Sequence, residues 1–280
     1  MDYHEYQSQH RIPQVYLKQF GFEREGVWYV TVFDRTKNHT EDIRIKDYNV
    51  AVNEFDYQDE DYKIKRHYEN TAGKIEDMYP KVLNSIKNQK LLTPRHEDIL
   101  RHFVASLIGR AERQRDFFAE MIGDEKVRSR FLEEITLFDE QDNPADIELA
   151  FSIMNKNEHL SLIQGIITNH IVRVLRSFKA LILKDFDGRG WFTSDDPVCI
   201  NFQDNYSWII PAEAEIYLPL SREYCLFLFH EKSPKDSNPL RKLSTNKIHL
   251  LDEVAHDAIM LTGRWIWNLV YICACAISID

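Results

Sequence analysis

Strand-like segments stand towards both ends of this 280-residue chain, and helical periodicity fills most of what lies between them. That arrangement restricts the fold more than any other feature. A strand must pair its backbone N–H and C=O groups with a neighbour, so the first and last segments are expected to meet in one sheet. Residues 26–34 (GVWYVTVFD) are rich in β-branched and aromatic types. A polar turn follows at Lys37-Asn38-His39, and a second strand is expected over 42–52. Between 62 and 87 the apolar residues Tyr68, Ala72, Ile75, Tyr79, Leu83 and Ile86 recur at helical spacing. Thr93-Pro94 marks the next helix start, with threonine as N-cap and proline in the first turn. Its stripe is Ile99, Phe103, Leu107 and Ala111, and two further helices are expected before residue 156.

A long helix is then expected from about 160 to 184, with Leu160, Ile163, Ile167, Ile171, Val174, Phe178 and Leu181 on one side. Asp187-Gly188-Arg189-Gly190 reads as a loop, followed by short strands at 191–193, 209–211, 215–218 and 224–229. A final helix, capped by Asp252, is expected over about 252–270. The reading is α+β: a helical middle segment packed against a mixed or antiparallel sheet built from N-terminal and C-terminal strands. We expect one domain over 1–280, with N-terminal strands in 10–57, the helical middle in 60–185 and further strands in 190–230.

Composition narrows the class of function. The net charge of −10 argues against sequence-independent coating of DNA, which needs many phosphate contacts. It leaves room for a local basic groove. Arg101, Arg110, Arg113, Arg115, Lys126, Arg128 and Arg130 supply either such a groove or a solvated helix face. The four cysteines, at 199, 225, 273 and 275, form no CxxC pair and no zinc spacing. The start carries no signal-peptide pattern, and the apolar run at 265–277 is shorter than the ~20 residues of a membrane span. A reduced, cytoplasmic protein with no membrane partner is the expectation. No GxGxxG, Walker, HExxH or GxSxG motif occurs, so dinucleotide, P-loop and common hydrolase readings lack their usual support.

Several polar residues stand where chemistry is possible. Glu69 and Glu76 lie two helical turns apart beside Ala72, Tyr79 and Leu83, so both border an apolar stripe. Such a pair can bind a divalent cation or supply a general acid. A solvated flank bridged to Lys65 or Lys74 is the plainer account. Arg110 falls three residues after Leu107 and should point inward or to the stripe's edge; inward, it needs an acidic partner from Glu69, Glu76 or Asp195, as a structural ion pair or as an anion-binding arginine. His10 precedes Ile12-Pro13 and can ligate metal, move protons or simply hydrogen-bond; His170 is expected to be a satisfied core histidine. Ser194-Asp195-Asp196-Pro197 predicts a tight turn. Its aspartates can also hold a hard cation, and Ser194 is a nucleophile only if a base and an oxyanion hole accompany it.

These segments resemble a large, mostly bacterial family known as domain of unknown function 4238. His10 through Phe20 is similar to its histidine-x-x-proline-x-x-tyrosine-leucine opening followed by phenylalanine. Val32-Phe33-Asp34-Arg35 and residues 46–57 resemble its next two segments, and Tyr68-Glu69-Asn70 through Ile75-Glu76 its two-glutamate helix. Phe103 through Arg115 is similar to its arginine-bearing helix, with Ala111-Glu112 where the family has threonine-proline. Phe192 through Val198 and Tyr217 through Ser221 resemble its serine-aspartate-x-proline turn and proline-leucine-serine strand. The resemblance implies no settled activity. It does place His10, Glu69, Glu76, Arg110, Ser194 and Asp195 in the matching segments, which favours a shared site.

Two functions follow as expectations. In the first, a metal-dependent hydrolase cleaves phosphodiester bonds, as a nuclease in a bacterial toxin or phage-defence role. His10, Glu69, Glu76 and Asp195 would hold Mg²⁺ or Mn²⁺, and Arg110 would stabilise developing charge. Arg113, Arg115 and Ser194 would bind the nucleic acid or nucleotide substrate. In the second, a non-catalytic binding or sensor module uses the same polar residues as a structural cluster.

Overall fold

The computed structural model describes residues 8–52, 57–58, 64–65, 67–88, 92–126, 129, 160–185, 190–201, 210–211, 214–230, 238–243, 248–251 and 270–273. The N-terminal strands are β1 (Ser8–His10), β2 (Phe22–Arg24), β3 (Val27–Asp34), β4 (His39–Arg44) and β5 (Val50–Val52), with a short helix α1 (Gln14–Leu17) between β1 and β2. β2 and β3 turn through Glu25 and Gly26, both at positive φ, the tight two-residue geometry that suits the twist of paired strands. The β3–β4 loop closes where the sequence predicts a polar turn. Asp34 Oδ1 accepts from Thr36 N at 2.9 Å and Thr36 Oγ1 at 2.6 Å, and Asn38 takes the left-handed conformation.

The second predicted strand is shorter than expected and is broken. A 3-10 turn at Ile45–Asp47 ends the pairing with β3, and β5 then pairs with β1. The helical middle also starts later than residue 60. A two-strand ribbon, β6 (Tyr57–Gln58) with β7 (Ile64–Lys65), comes before α2 (His67–Lys87). Helix α3 (Pro94–Arg110) begins as predicted, Thr93 Oγ1 accepting from His96 N at 3.2 Å. α4 (Glu112–Gly123) follows, and α5 (Leu160–Arg176) comes next among the described residues.

The predicted helix over 160–184 is corrected. It stops at Ser177, whose N–H and Oγ both donate to the Val174 carbonyl, and the chain continues as strand β8 (Phe178–Asp185). The reason for the misreading is burial. β8 lies in the interior of a sheet covered on both faces, so its centre, residues 180–183, is an apolar run with no alternation to distinguish strand from helix. Further strands are β9 (Thr193–Ser194), β10 (Cys199–Asn201), β11 (Glu215–Pro219), β12 (Tyr224–His230), β13 (Ile248–Leu251) and β14 (Val270–Cys273). Residues 210 and 211 carry no strand, against expectation. The predicted final helix falls on 252–269, outside the described residues, and residue 270 is already in a strand.

Two sheets result. The larger has the order β10-β11-β12-β8-β13, antiparallel except for the parallel β8–β13 edge. The other has the order β2-β3-β14-β9, with β4 pairing β3, so first and last segments share one sheet as the sequence implies. The class is α+β. Within the larger sheet alternate residues face opposite ways. Ala180, Ile182, Ile216, Leu218, Leu226 and Leu228 join the side chains of α2, α3 and α5. Leu181, Leu183, Tyr217, Cys225 and Phe227 form a second cluster with Trp191 on the other face. A charged strap covers that second face: Arg241 Nε donates to buried Glu215 Oε1 at 2.9 Å, and Asn238 Nδ2 donates to the same oxygen at 2.9 Å.

The His10–Phe20 segment and the segment leading into the Ser194 turn meet in the first core. Tyr16, fully buried, bonds Thr193 Oγ1 at 2.7 Å across 177 residues of chain, and its ring packs against Phe103 and Tyr79. Tyr79 stacks on Phe103 at 4.3 Å and donates from its hydroxyl to the Leu220 carbonyl. We expect Tyr16→Phe to lower stability by about 1–3 kcal/mol, because Thr193 Oγ1 is then buried without that partner. Urea denaturation checks it: the midpoint falls while the slope stays constant.

Candidate functional site

Pro13 holds the backbone extended at φ −56° and ψ 135°, and α1 starts directly after it. This brings β1 against β5, with His10 opposite Val50 and Arg11 N donating to the Asn49 carbonyl at 3.2 Å. The His10 ring turns towards the 3-10 segment. Its Nε2–H donates to the Lys46 carbonyl at 3.1 Å, which requires the proton on that nitrogen, and the Gln14 amide lies 3.3 Å away. Burial, with the Arg110 charge as a smaller contributor, lowers the His10 pKa; the Lys46 hydrogen bond opposes the shift.

Arg110 ends α3 and points inward as the sequence predicts. The residue is 2% exposed. Of the acidic partners considered, Glu76 supplies the charge: Arg110 Nη1 lies 2.9 Å from Glu76 Oε1. The same nitrogen donates to the His10 backbone carbonyl at 3.1 Å, and the guanidinium sits 5.7 Å from the centre of the Tyr68 ring. Glu76 keeps a quarter of its side chain exposed. Burial raises its pKa, Arg110 pulls it back down, and neighbouring Asp77 adds to the rise. Pro80 lies one turn further along α2 and has no N–H to give the Glu76 carbonyl. A charge at the end of α3 also suits the helix dipole, whose C-terminus favours cations.

The Ser194 turn is satisfied internally. Ser194 Oγ donates to the Asp196 carbonyl at 2.8 Å and accepts from Asp196 N at 3.3 Å, so its proton is held by backbone. Pro197 is buried as expected of a turn proline. Asp195 is half-buried; burial, with the Asp195 charge as a smaller contributor, pushes the Tyr48 hydroxyl up. Tyr48 directly follows the segment that receives His10.

The structure therefore joins His10, Glu76 and Arg110 in one assembly. Asp195 lies on the Ser194 turn. Glu69 lies on α2 and Arg113 on α4, but their side chains fall outside the described residues. Arg115 is half-buried on α4, and Arg11 pairs with Glu112 at 3.4 Å, one of the two residues that depart from the family pattern. His170 is half-buried on α5. Among the described residues no group of three His, Cys, Asp or Glu side chains converges as a metal site. Sequence reasoning missed Tyr68 and Gln14. Tyr68 was read as stripe, and nothing in its spacing announces a ring over Arg110.

The chain belongs to the family described as protein of unknown function (DUF4238), whose model matches residues 8–255. No curated protein and no solved structure matches it. No described helix is long and apolar enough to cross a membrane.

The lowered His10 pKa gives a pH signature. In the window just below the unfolded value of 6.5 the unfolded chain binds more protons at this site, so stability rises with pH there and is lost as pH falls through the folded value. Facing groups are Lys46 and Ile45 backbone, Gln14, Arg110 and Asp47. We expect this contribution to the slope to vanish in His10→Gln. Stability measured at several pH values for both proteins checks it.

Proposed function

We propose that the Arg110 assembly is architectural and that the chain works as a non-catalytic binding or sensor module. One observation carries this reading. The polar groups that chemistry would need are engaged with the fold itself: Arg110 Nη1 with Glu76 and the His10 carbonyl, His10 Nε2 with Lys46, and Ser194 Oγ with Asp196. The groups through which such a module registers a proton are Glu76 and His10, whose pKa values are displaced in opposite directions.

A second reading has its own support in Glu76, a raised and partly exposed carboxyl beside a buried arginine. Here the chain hydrolyses phosphodiester bonds. His10, Glu69, Glu76 and Asp195 hold Mg²⁺ or Mn²⁺, Arg110 offsets phosphate charge, and Arg113 and Arg115 guide a nucleic acid. A toxin or phage-defence role belongs to this reading.

Glu76→Ala separates the two. As a module, the variant leaves Arg110 buried without its counter-charge and loses stability, at the low end of about 3–5 kcal/mol because Glu76 is partly exposed. As a hydrolase, it loses activity on RNA or DNA while stability holds or rises. The measurement is a melting curve of wild type and variant with Mg²⁺, Mn²⁺, Ca²⁺ and Zn²⁺, alongside a nuclease assay. A saturable metal shift that disappears in a stable variant overturns the module reading.

A further inference from the structure

Helices α3 and α5 approach closely where α3 ends. A Cβ at residue 109 would sit 2.5 Å from Thr168 Oγ1 and 3.3 Å from Tyr68 Oη, so the contact admits only glycine without a shift. Tyr68 fills the space between this glycine and Gly165, whose Cβ position lies 3.8 Å from its ring. From α5, Gln164 reaches across and donates from Nε2 to the Gly109 carbonyl. That carbonyl is among the last four of α3, which have no donor within their own helix. Its neighbours are met separately: Ala111 N donates to Ile108 O at 3.2 Å, and Tyr68 Oη donates to Ser106 O at 3.3 Å. The next residue after Gly109 is Arg110.

Gln164 is 1% exposed, and an apolar residue of similar size would fill its place without burying an amide. Its Oε1 has no hydrogen-bond partner among the described residues, and neither has Thr168 Oγ1. A buried amide that satisfies only one end stabilises poorly for its own sake. Its single bond is what distinguishes it, and that bond fixes the last turn of α3.

We propose that Gln164 is a positioning residue for Arg110: by holding the Gly109 carbonyl it sets where the guanidinium meets Glu76 and the His10 backbone. The assembly is then determined by α5 as much as by the helices that carry the charges. This stands whether the assembly is architectural or catalytic, since both need the guanidinium in that place.

The test follows the Glu76 carboxyl by NMR titration in glutamate-labelled protein. Arg110 holds Glu76 down against burial. If Gln164→Leu lets the arginine drift, the Glu76 midpoint should rise by about one pH unit, a tenfold change in proton affinity. A merely structural glutamine would lower the melting temperature and leave the midpoint where it was, and that result overturns the proposal. Should Gln164→Leu fail to fold, Gln164→Asn, one methylene shorter, is titrated instead. A smaller rise in the same direction supports the proposal, and an unmoved midpoint overturns it.

Discussion

A single buried positive charge organises the junction of the N-terminal segment with the helices. Arg110 cannot leave water without compensation, and it finds it in three groups from two parts of the chain, helix α2 and strand β1. Glu76 brings a carboxylate from α2, His10 a carbonyl from β1, and Tyr68 a ring face. Removing any of these changes more than one contact. The first pins a helix pair, the second fixes the strand that pairs with β5, and the third plugs the gap between Gly109 and Gly165. A short polar motif at the N-terminus therefore reads on the position of helices sixty to a hundred residues away.

The same segment is tied from its other side by apolar packing. Tyr16 lies six residues after His10, and its hydroxyl meets Thr193 while its ring meets Phe103 and Tyr79. Thr193 belongs to β9, which pairs with β14, and β14 pairs with β3. The N-terminal string, the Ser194 turn and the sheet are thus held by one continuous set of contacts. Tilted and stacked rings at these separations add to the burial of their own area, and a satisfied buried hydroxyl specifies one arrangement among the many that burial alone allows.

Much of this was legible in the sequence where local rules are strong. The Thr93-Pro94 start, the polar turn after Asp34, the α2 stripe and the strands at 215 and 224 need only capping, turn chemistry and periodicity. The inward arginine was legible too, because a charge on an apolar stripe demands a partner, though spacing did not choose Glu76 over Glu69 or Asp195. β8 was illegible for a physical reason: a strand buried on both faces shows no alternation, and a preceding helix with the same leucine-rich texture runs into it. That His10 meets Arg110 was illegible, because the contact is made by the backbone carbonyl and no side-chain rule announces a carbonyl.

A second buried arginine–glutamate pair shows what the first is not. Glu215 is 7% exposed and accepts from Arg241 Nε, Asn238 Nδ2 and, on its other oxygen, Tyr217 Oη at 3.1 Å. Both carboxylate oxygens are met, and the group has nothing left to offer a ligand; it seals the strap over the outer face of the large sheet. Glu76 meets Arg110 at hydrogen-bond distance, keeps a quarter of its side chain in solvent, and has its proton affinity raised by burial, which outweighs the arginine. Of these two pairs, the Glu76 pair is the one whose carboxylate side chain keeps appreciable surface in solvent, so it is the better placed of the two to meet a cation or exchange a proton.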